Sequence, residues 1–472
     1  MVGEDTFYEA AETRDDRFRA LVHIVTKSDP NWIRGFIPYL REEMYMRSAS
    51  IVAAAEYVAA GGPNGRDVIS SAIMRADEPA ELLAYWHDAY GRAEPMPIKR
   101  GISDALNRVY TEYSAAKYDG ADRAWRMGDV IERVHAVPGD EHQRVLYKYL
   151  LGIRFEYDPT RLKSLPVLAH YRAWKEAGSP LPDDGALPRA VTWEELSATH
   201  KMDAKAWEAV IPQMGYMALL RNLRNFENAQ ISPLSVQYVR ERLADPELIA
   251  KSKQFPFRFL SALKALESHT YSATLESALE ASVVNIPAMG GNTCVYVDCS
   301  GSMYTGFSRQ GSLSLWEQAA VFGAALAKRC ERVNLLPYAT TYGRVNVSPG
   351  SSVLKLVERI AAMAPQLGGS TETLRTVAST AQGADRVIIV TDEQTWPGPE
   401  LAHLPLIYTF NVAGYRTGHQ PSGTKGRHTF GGLSDKSFTM LKVLETVGSA
   451  GWPWEDAAYV TDRLTKAIRD GD

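Results

Sequence analysis

The most chemically specific segment of the sequence is Asp298-Cys299-Ser300-Gly301-Ser302, where a carboxylate and two hydroxyls alternate along one loop. Thr293 to Val297, just before it, reads as a short buried strand, so the loop leaves that strand at its carboxyl end. Two further segments share this character. Gly368-Gly369-Ser370-Thr371 offers hydroxyls after two glycines that let the backbone approach closely. Thr391-Asp392 directly follows the apolar run Val387-Ile388-Ile389-Val390. Loops at the carboxyl ends of parallel strands gather at one edge of an open sheet. Hydroxyl, carboxylate and water oxygens are hard donors that suit Mg²⁺, whereas the His and Cys ligands of a zinc site are absent from these loops. A lone DxSxS could equally be a capped helix start. Three such loops in order are far harder to obtain by accident. No Ser/His/Asp constellation or second-metal cluster accompanies them, so the expectation is a binding site and not an enzyme.

The elements that must position these loops fall into two halves. Up to about residue 285 the apolar spacing is helical, as in Ile102, Ala105, Leu106, Val109, Tyr110 and Tyr113, with breaks at Asp29-Pro30, Gly61-Gly62-Pro63 and Val137-Pro138-Gly139. A dozen or more helices without clear strands suggest stacked helical hairpins. After Pro287 runs apolar on both faces appear, at Val333 to Leu336, Val387 to Val390 and Leu406 to Phe410, alternating with helices at Leu315 to Arg329 and Phe438 to Val447. That alternation predicts a doubly wound α/β domain around a parallel sheet. The expected domains are 1–285 and 286–472.

Bulk properties narrow the field further. The 472 residues exceed one ordinary core, and a net charge of -4 gives no global pull toward nucleic acid or anionic lipid. Any nucleic-acid site is therefore a local patch. Three cysteines without metal or redox spacing, no signal-like start and no long apolar run predict a soluble cytoplasmic protein with no membrane partner.

From about residue 290 to 450 the chain resembles von Willebrand factor A domains with their metal-ion-dependent adhesion site. The resemblance gives Asp298, Ser300, Ser302, Thr371 and Asp392 the ligand roles, with Ser370 an alternative to Thr371 in the second loop. The segment Ile211-Pro212-Gln213-Met214-Gly215-Tyr216-Met217-Ala218-Leu219-Leu220-Arg221-Asn222-Leu223-Arg224 resembles the signature of TROVE-domain proteins, the Ro autoantigen family. Asp29 to Arg47 and Leu165 to Trp174 have the same look. The resemblance implies an all-α ring of HEAT-like helical repeats followed by the Rossmann-like A domain. It further implies that the ring's hole accepts single-stranded 3′ ends of misfolded or structured noncoding RNA, that its outer surface binds Y RNA, and a role in RNA surveillance or processing. A nuclease or other protein could dock at the adhesion site. Asp5 to Glu9 match a segment that further residues precede in relatives, so some ring contacts are expected to differ.

The candidate RNA contacts are Lys99, Arg100, Lys117, Arg123, Arg126, Arg133 and His135. Lys99 and Arg100 sit early in a helix, against its dipole, which makes sense if phosphate lies nearby. Lys117 lies near a helix end that favours a cation in any case. The last four fall where the resemblance places RNA contacts, and His135 could stack on a base or bond a phosphate. Seven Lys/Arg and six Asp/Glu lie between Lys99 and Arg133, so a patch exists only if folding separates the signs. Asp104, Arg108 and Glu112 read as a solvated i, i+4 ladder. Arg221 and Arg224 are as well explained by pairing within the helical stack as by RNA. The rival reading is a metal-dependent protein scaffold without RNA. A weaker one is an accessory subunit of a chelatase or ATPase, whose P-loop would lie on another chain.

Overall fold

The structure, a computed structural model, describes residues 11–120, 123–152, 159–183, 186–304, 314–413, 426–431 and 435–455. The segment Asp5 to Glu9 lies outside them. Seventeen α-helices precede the first strand among the described residues. The chain divides into two compact units, one of Asp15–Met214 with the segment from Thr446, the other containing Gly215–Glu445.

In the first unit the helices pack mainly on near neighbours in sequence, the pattern of a helical-repeat stack. Their apolar faces merge into one core that includes Ile37, Ile69, Leu82, Ile102, Leu106, Ile131 and Leu146. The helix Pro30–Glu42 shows how local sequence sets the ends: Asp29 Oδ1 accepts from the Trp32 amide at 3.0 Å, and Pro30 occupies the first turn. The helix Met96–Val109 buries Ile98, Ile102, Ala105 and Leu106 as its spacing predicts. It stops short of Tyr110 and Tyr113, because Thr111 caps a new helix, Glu112–Tyr118, by accepting from the Ser114 amide.

The C-terminal segment returns to the helix Pro30–Glu42. Trp454 is buried against Trp32, Phe36 and Tyr39, with ring centroids 5.3, 4.9 and 4.7 Å apart, and Trp452 stacks on it at 4.9 Å. The approach depends on Gly35. A Cβ there would lie 2.2 Å from the Trp454 carbonyl oxygen.

In the second unit five helices, Tyr216–Ala229, Pro233–Ala244, Pro246–Ser252, Pro256–Ala265 and Ser272–Ser282, precede a five-stranded parallel sheet. The strands are β1 (Met289–Asp298), β2 (Cys330–Tyr338), β3 (Arg386–Thr391), β4 (Ile407–Asn411) and β5 (Arg427–Gly431), in the order β2-β1-β3-β4-β5. Continuous apolar runs fill β1 and β3, which are covered on both faces. The helix Leu315–Ala327 inserts Phe322 between Phe410 and Phe438, at 4.6 and 4.3 Å. Ion pairs Lys264–Glu317 and Lys328–Glu280 join the preceding helices to those beside the sheet, and Glu280 also accepts from the Val353 amide at 3.0 Å. Helical repeats followed by a doubly wound α/β sheet are the expected order. Strand β5, Arg-His-Thr-Phe-Gly, was not expected, because it carries no apolar run.

Gly35→Ala separates packing from propensity. On helix propensity alone the change would stabilise by about 1 kcal/mol. The overlap with Trp454 should reverse the sign and destabilise by about 1–3 kcal/mol. Urea unfolding followed by tryptophan fluorescence gives the answer, and a stabilised variant would exclude this docking.

Candidate functional site

The parallel pairing of β1 with β3 sets Val297 opposite Val390, so the strand ends bring Asp298 beside Thr391. The Thr391 hydroxyl donates to Asp298 Oδ2 at 2.6 Å, and the Ser300 amide donates to Oδ1 at 2.8 Å. Asp298 is fully buried, and burial pushes its carboxyl up to about 6; the nearby Asp392 charge adds to the rise, and the Thr391 and Ser300 bonds oppose it. The Ser300 and Ser302 hydroxyls lie 3.4 Å apart on the same loop. Gly301 donates its amide to the Gly369 carbonyl at 3.2 Å, which ties the first loop to the second.

The second loop is shaped by Gly368, whose φ of +85° is left-handed and where a Cβ would strike the Thr340 hydroxyl at 2.4 Å. The third loop straps the second. The Trp396 amide and the Thr395 hydroxyl donate to the Thr371 carbonyl at 3.2 and 3.1 Å, and the Trp396 indole donates to Ser370 Oγ at 2.8 Å. Asp392 Oδ1 accepts from the Gln394 amide at 3.0 Å. Asp392 Oδ2 is buried with no hydrogen-bond partner among the described residues.

A buried carboxylate oxygen without a partner calls for an ion or water. Asp298, Ser300, Ser302, Ser370, Thr371 and Asp392 present oxygen donors only, from loops at one end of the sheet. No group of three or more His, Cys, Asp or Glu suited to a metal occurs among the described residues. Hydroxyl and carboxylate oxygens are by their chemistry suited to a hard divalent cation and not a soft one.

The cations of the helical half separate into two settings. Arg133 Nε donates to Glu94 Oε1 at 2.8 Å, His87 bonds the same oxygen, and Lys99 Nζ lies 3.8 Å from Oε2. Burial alone would raise the Glu94 carboxyl; the bonds from Arg133 and His87 win and hold it at about 2. Arg100 and His135 are exposed, with His135 in left-handed backbone at the end of the helix Met127–Val134. Arg108 does not form the expected solvated ladder. Its guanidinium donates to the Ser70 hydroxyl and carbonyl at 2.9 and 2.7 Å, Asp104 pairs with Arg66 instead, and Glu112 accepts from the Val167 and Leu168 amides. Partners on neighbouring helices outcompete the i, i+4 contacts.

Lys117, Arg123 and Arg126 come together along a cleft of about 680 Å³ within the first unit. Its opposite wall is the helix Pro166–Glu176, which adds Tyr171, Arg172 and Lys175. The last two cations were not foreseen, although the interleaved Tyr171-Arg172-Ala173-Trp174-Lys175 was a legible signal. Arg126 is tied to Asp119 at 2.7 Å and Lys175 to Glu195 at 2.7 Å. Lys117 and Arg123 form no ion pair among the described residues. Arg221 is exposed, Arg224 pairs with Glu267 at 3.0 Å, and Asn222 between them is buried and bonded to the Ala218 carbonyl.

Helical repeats followed by a parallel sheet with an oxygen-rich loop edge define a class of two-part protein, and comparison with known proteins specifies it. Residues 183–275 match the TROVE domain. The chain is similar to telomerase protein component 1 of Rattus norvegicus, 37% identical over 83 residues, and to that of Mus musculus, 36% identical over 83 residues. Those matches cover 17% of this chain and 3% of the length of either relative. The crystal structure of the Deinococcus radiodurans Ro (RSR) protein superposes with a TM-score of 0.66 at 17% identity, covering 93% of this chain and 94% of that one. Residues 183–275 are thus similar to the TROVE domain, and the chain has the fold of that Ro protein.

The Glu94 cluster yields a prediction that separates scaffold from RNA contact. Arg133→Ala should destabilise the fold by about 1–3 kcal/mol, because it leaves a buried carboxylate short of its main partner. The folded-state pKa near 2 lies below the unfolded value of about 4.3, so this contribution is complete above that range and is lost as pH falls from roughly 4 toward 2. Urea melts at pH 7 and pH 3 should show the penalty shrinking in acid. An Arg133→Ala penalty unchanged at pH 3 would refute the assignment.

Proposed function

We propose that this chain binds noncoding RNA, holding Y-RNA-like molecules and single-stranded 3′ ends of structured or misfolded RNA, in RNA surveillance or processing. The observation that carries this reading is the cleft. In a chain of net charge -4, five cations and three carboxylates line one cavity. Two of the cations, Lys117 and Arg123, form no ion pair among the described residues, with the half-buried Tyr118 and Tyr171 on the same lining. Cations with interleaved aromatic rings suit unpaired RNA, whose phosphates need charge and whose exposed bases need a flat apolar surface. The TROVE match and the Ro-like fold support the same reading.

We further propose that the sheet-edge loops hold Mg²⁺ through Asp298, Ser300, Ser302, Thr371 and Asp392. Thr371 is preferred to Ser370 because the Ser370 hydroxyl is already engaged by Trp396. The ion would supply a Lewis-acidic position that a partner's carboxylate can complete. Tyr304 and Trp396 are exposed on the first and third loops, and they favour a protein partner there, such as a processing nuclease. The role is binding and not catalysis. No described helix is long and apolar enough to cross a membrane.

Fluorescence anisotropy with a structured RNA carrying a single-stranded 3′ tail tests the main reading. Affinity should fall at least tenfold between 50 and 200 mM salt, as released counterions require. The double change Lys117→Ala with Arg123→Ala should weaken binding by about tenfold and flatten the salt slope. A blunt duplex bound as tightly as the tailed RNA would contradict the proposal.

The metal reading has its own test. Mg²⁺ should raise the melting temperature of the unaltered chain, since an ion that binds only the folded state stabilises it. Asp392→Asn should abolish that shift while leaving RNA affinity within about twofold. A persistent shift would remove Asp392 from the ligand set.

A further inference from the structure

We infer that the cleft between the helices Glu112–Tyr118 and Pro166–Glu176 takes one unpaired guanine nucleotide together with its phosphate. The inference rests on the RNA reading and sharpens it from a charged surface to a base-selective pocket.

The cavity is the right size for a small ligand. At about 680 Å³ it falls in the range of roughly 300–1,000 Å³ typical of small-molecule sites. It is also the wrong kind of surface for a run of phosphates, because Asp119, Glu194 and Glu195 line it alongside the cations. Consecutive phosphates laid along it would meet repeated like charge.

Most of the charged groups are already spoken for, and those left over define the ligand. Asp119 accepts from Arg126 and from the Met127 amide, at 2.7 and 2.8 Å. Glu195 holds Lys175 and the Tyr171 hydroxyl. Arg172 donates to the Tyr149 hydroxyl at 3.1 Å. Among the described residues this leaves Lys117 and Arg123 without a carboxylate partner on one side, and the Glu194 carboxylate without a donor on the other. The first two call for an anion and the third for hydrogen-bond donors. Tyr171 lines the cavity half-buried with its hydroxyl anchored on Glu195, which presents a ring face of fixed orientation for a base to stack on, whereas Tyr149 is buried in the core.

An ionised carboxylate only accepts. Guanine meets it with two adjacent donors, N1–H and N2–H₂. Uracil sets carbonyl oxygens on both sides of its single N–H, while adenine and cytosine place an acceptor nitrogen beside the amino group. Those acceptors repel a carboxylate. Guanine is the base that fits.

The test uses the full chain and two fluorescein-labelled RNA hexamers, one all uridine and one with guanosine in place of a central uridine. The guanosine hexamer should bind on the order of tenfold tighter, the discrimination expected of a bidentate contact. Glu194→Gln, at an exposed position, should erase the preference, so that the two hexamers bind alike, with circular dichroism showing an intact fold. Arg123→Ala, also exposed, should weaken both hexamers several-fold, with circular dichroism showing an intact fold. Equal binding of the two hexamers, or a preference that survives Glu194→Gln, overturns the inference. If a structured RNA with a 3′ tail binds and the hexamers do not differ, only the pocket assignment fails. If no RNA binds at all, the RNA reading fails with it.

Discussion

The constraint on which the sheet edge depends is a carboxylate placed where water cannot reach it. Asp298 ends a strand buried on both faces, and an ionised group there is costly unless it is bonded. The parallel register answers that cost by delivering the Thr391 hydroxyl and the Ser300 amide to its two oxygens. Everything nearby follows from that anchorage. The first loop turns at Ser300, and Gly301 reaches the Gly369 carbonyl. Thr371 is held by residues 395 and 396, and Asp392 ends next to Thr391 with one oxygen buried and unsatisfied. Two carboxylates thus end beside each other among hydroxyls, and the charge of Asp392 adds to the cost of ionising Asp298, which burial already raises.

The helical half solves the opposite problem. It must leave some charges unsatisfied at the surface while burying others safely. Glu94 gathers Arg133, His87 and Lys99 around one carboxylate, an arrangement that consumes cations. Arg41 and Arg47 do the same at buried Glu78, and Glu56 collects His23, Tyr85 and Tyr90. Against that background Lys117 and Arg123 stand out. Each lies at the cleft with no carboxylate at ion-pair distance among the described residues, although Asp119, Glu194 and Glu195 line the same cavity.

What the sequence disclosed follows from how local each signal is. The Asp298 loop was legible because its donors lie within five residues and its strand is a continuous apolar run. The helical half was legible as helices, and Met96–Val109 buries the residues its spacing predicts. Strand β5 was hidden because Arg427 and His428 break any apolar run. Arg427 enters the sheet only because the carbonyls of Leu401 and Leu404 accept from its guanidinium, which no local pattern reveals. The partners of Arg133 and Arg108 lie 39 and 38 residues away, so neither contact has a sequence signature. A longer separation hid Arg172 and Lys175, which share a cavity with Lys117 across more than fifty residues of chain.

Charge pairing, more than charge count, is therefore what distinguishes a binding residue here. Between Lys99 and Arg133 the signs nearly cancel, and composition alone predicts no patch. Folding segregates them by giving some cations a carboxylate at hydrogen-bond distance and leaving others with none. A paired cation offers a phosphate little, since its field is already screened and its donors are occupied. An unpaired one beside a tyrosine ring gains from phosphate and base together, because the same ligand carries both. By that criterion Lys117, Arg123 and the exposed Arg100, which form no ion pair among the described residues, differ from Lys99, Arg126 and Arg133, which the fold already pairs. The division sets the cations that the Glu94 cluster already uses apart from those on which the proposed RNA reading rests.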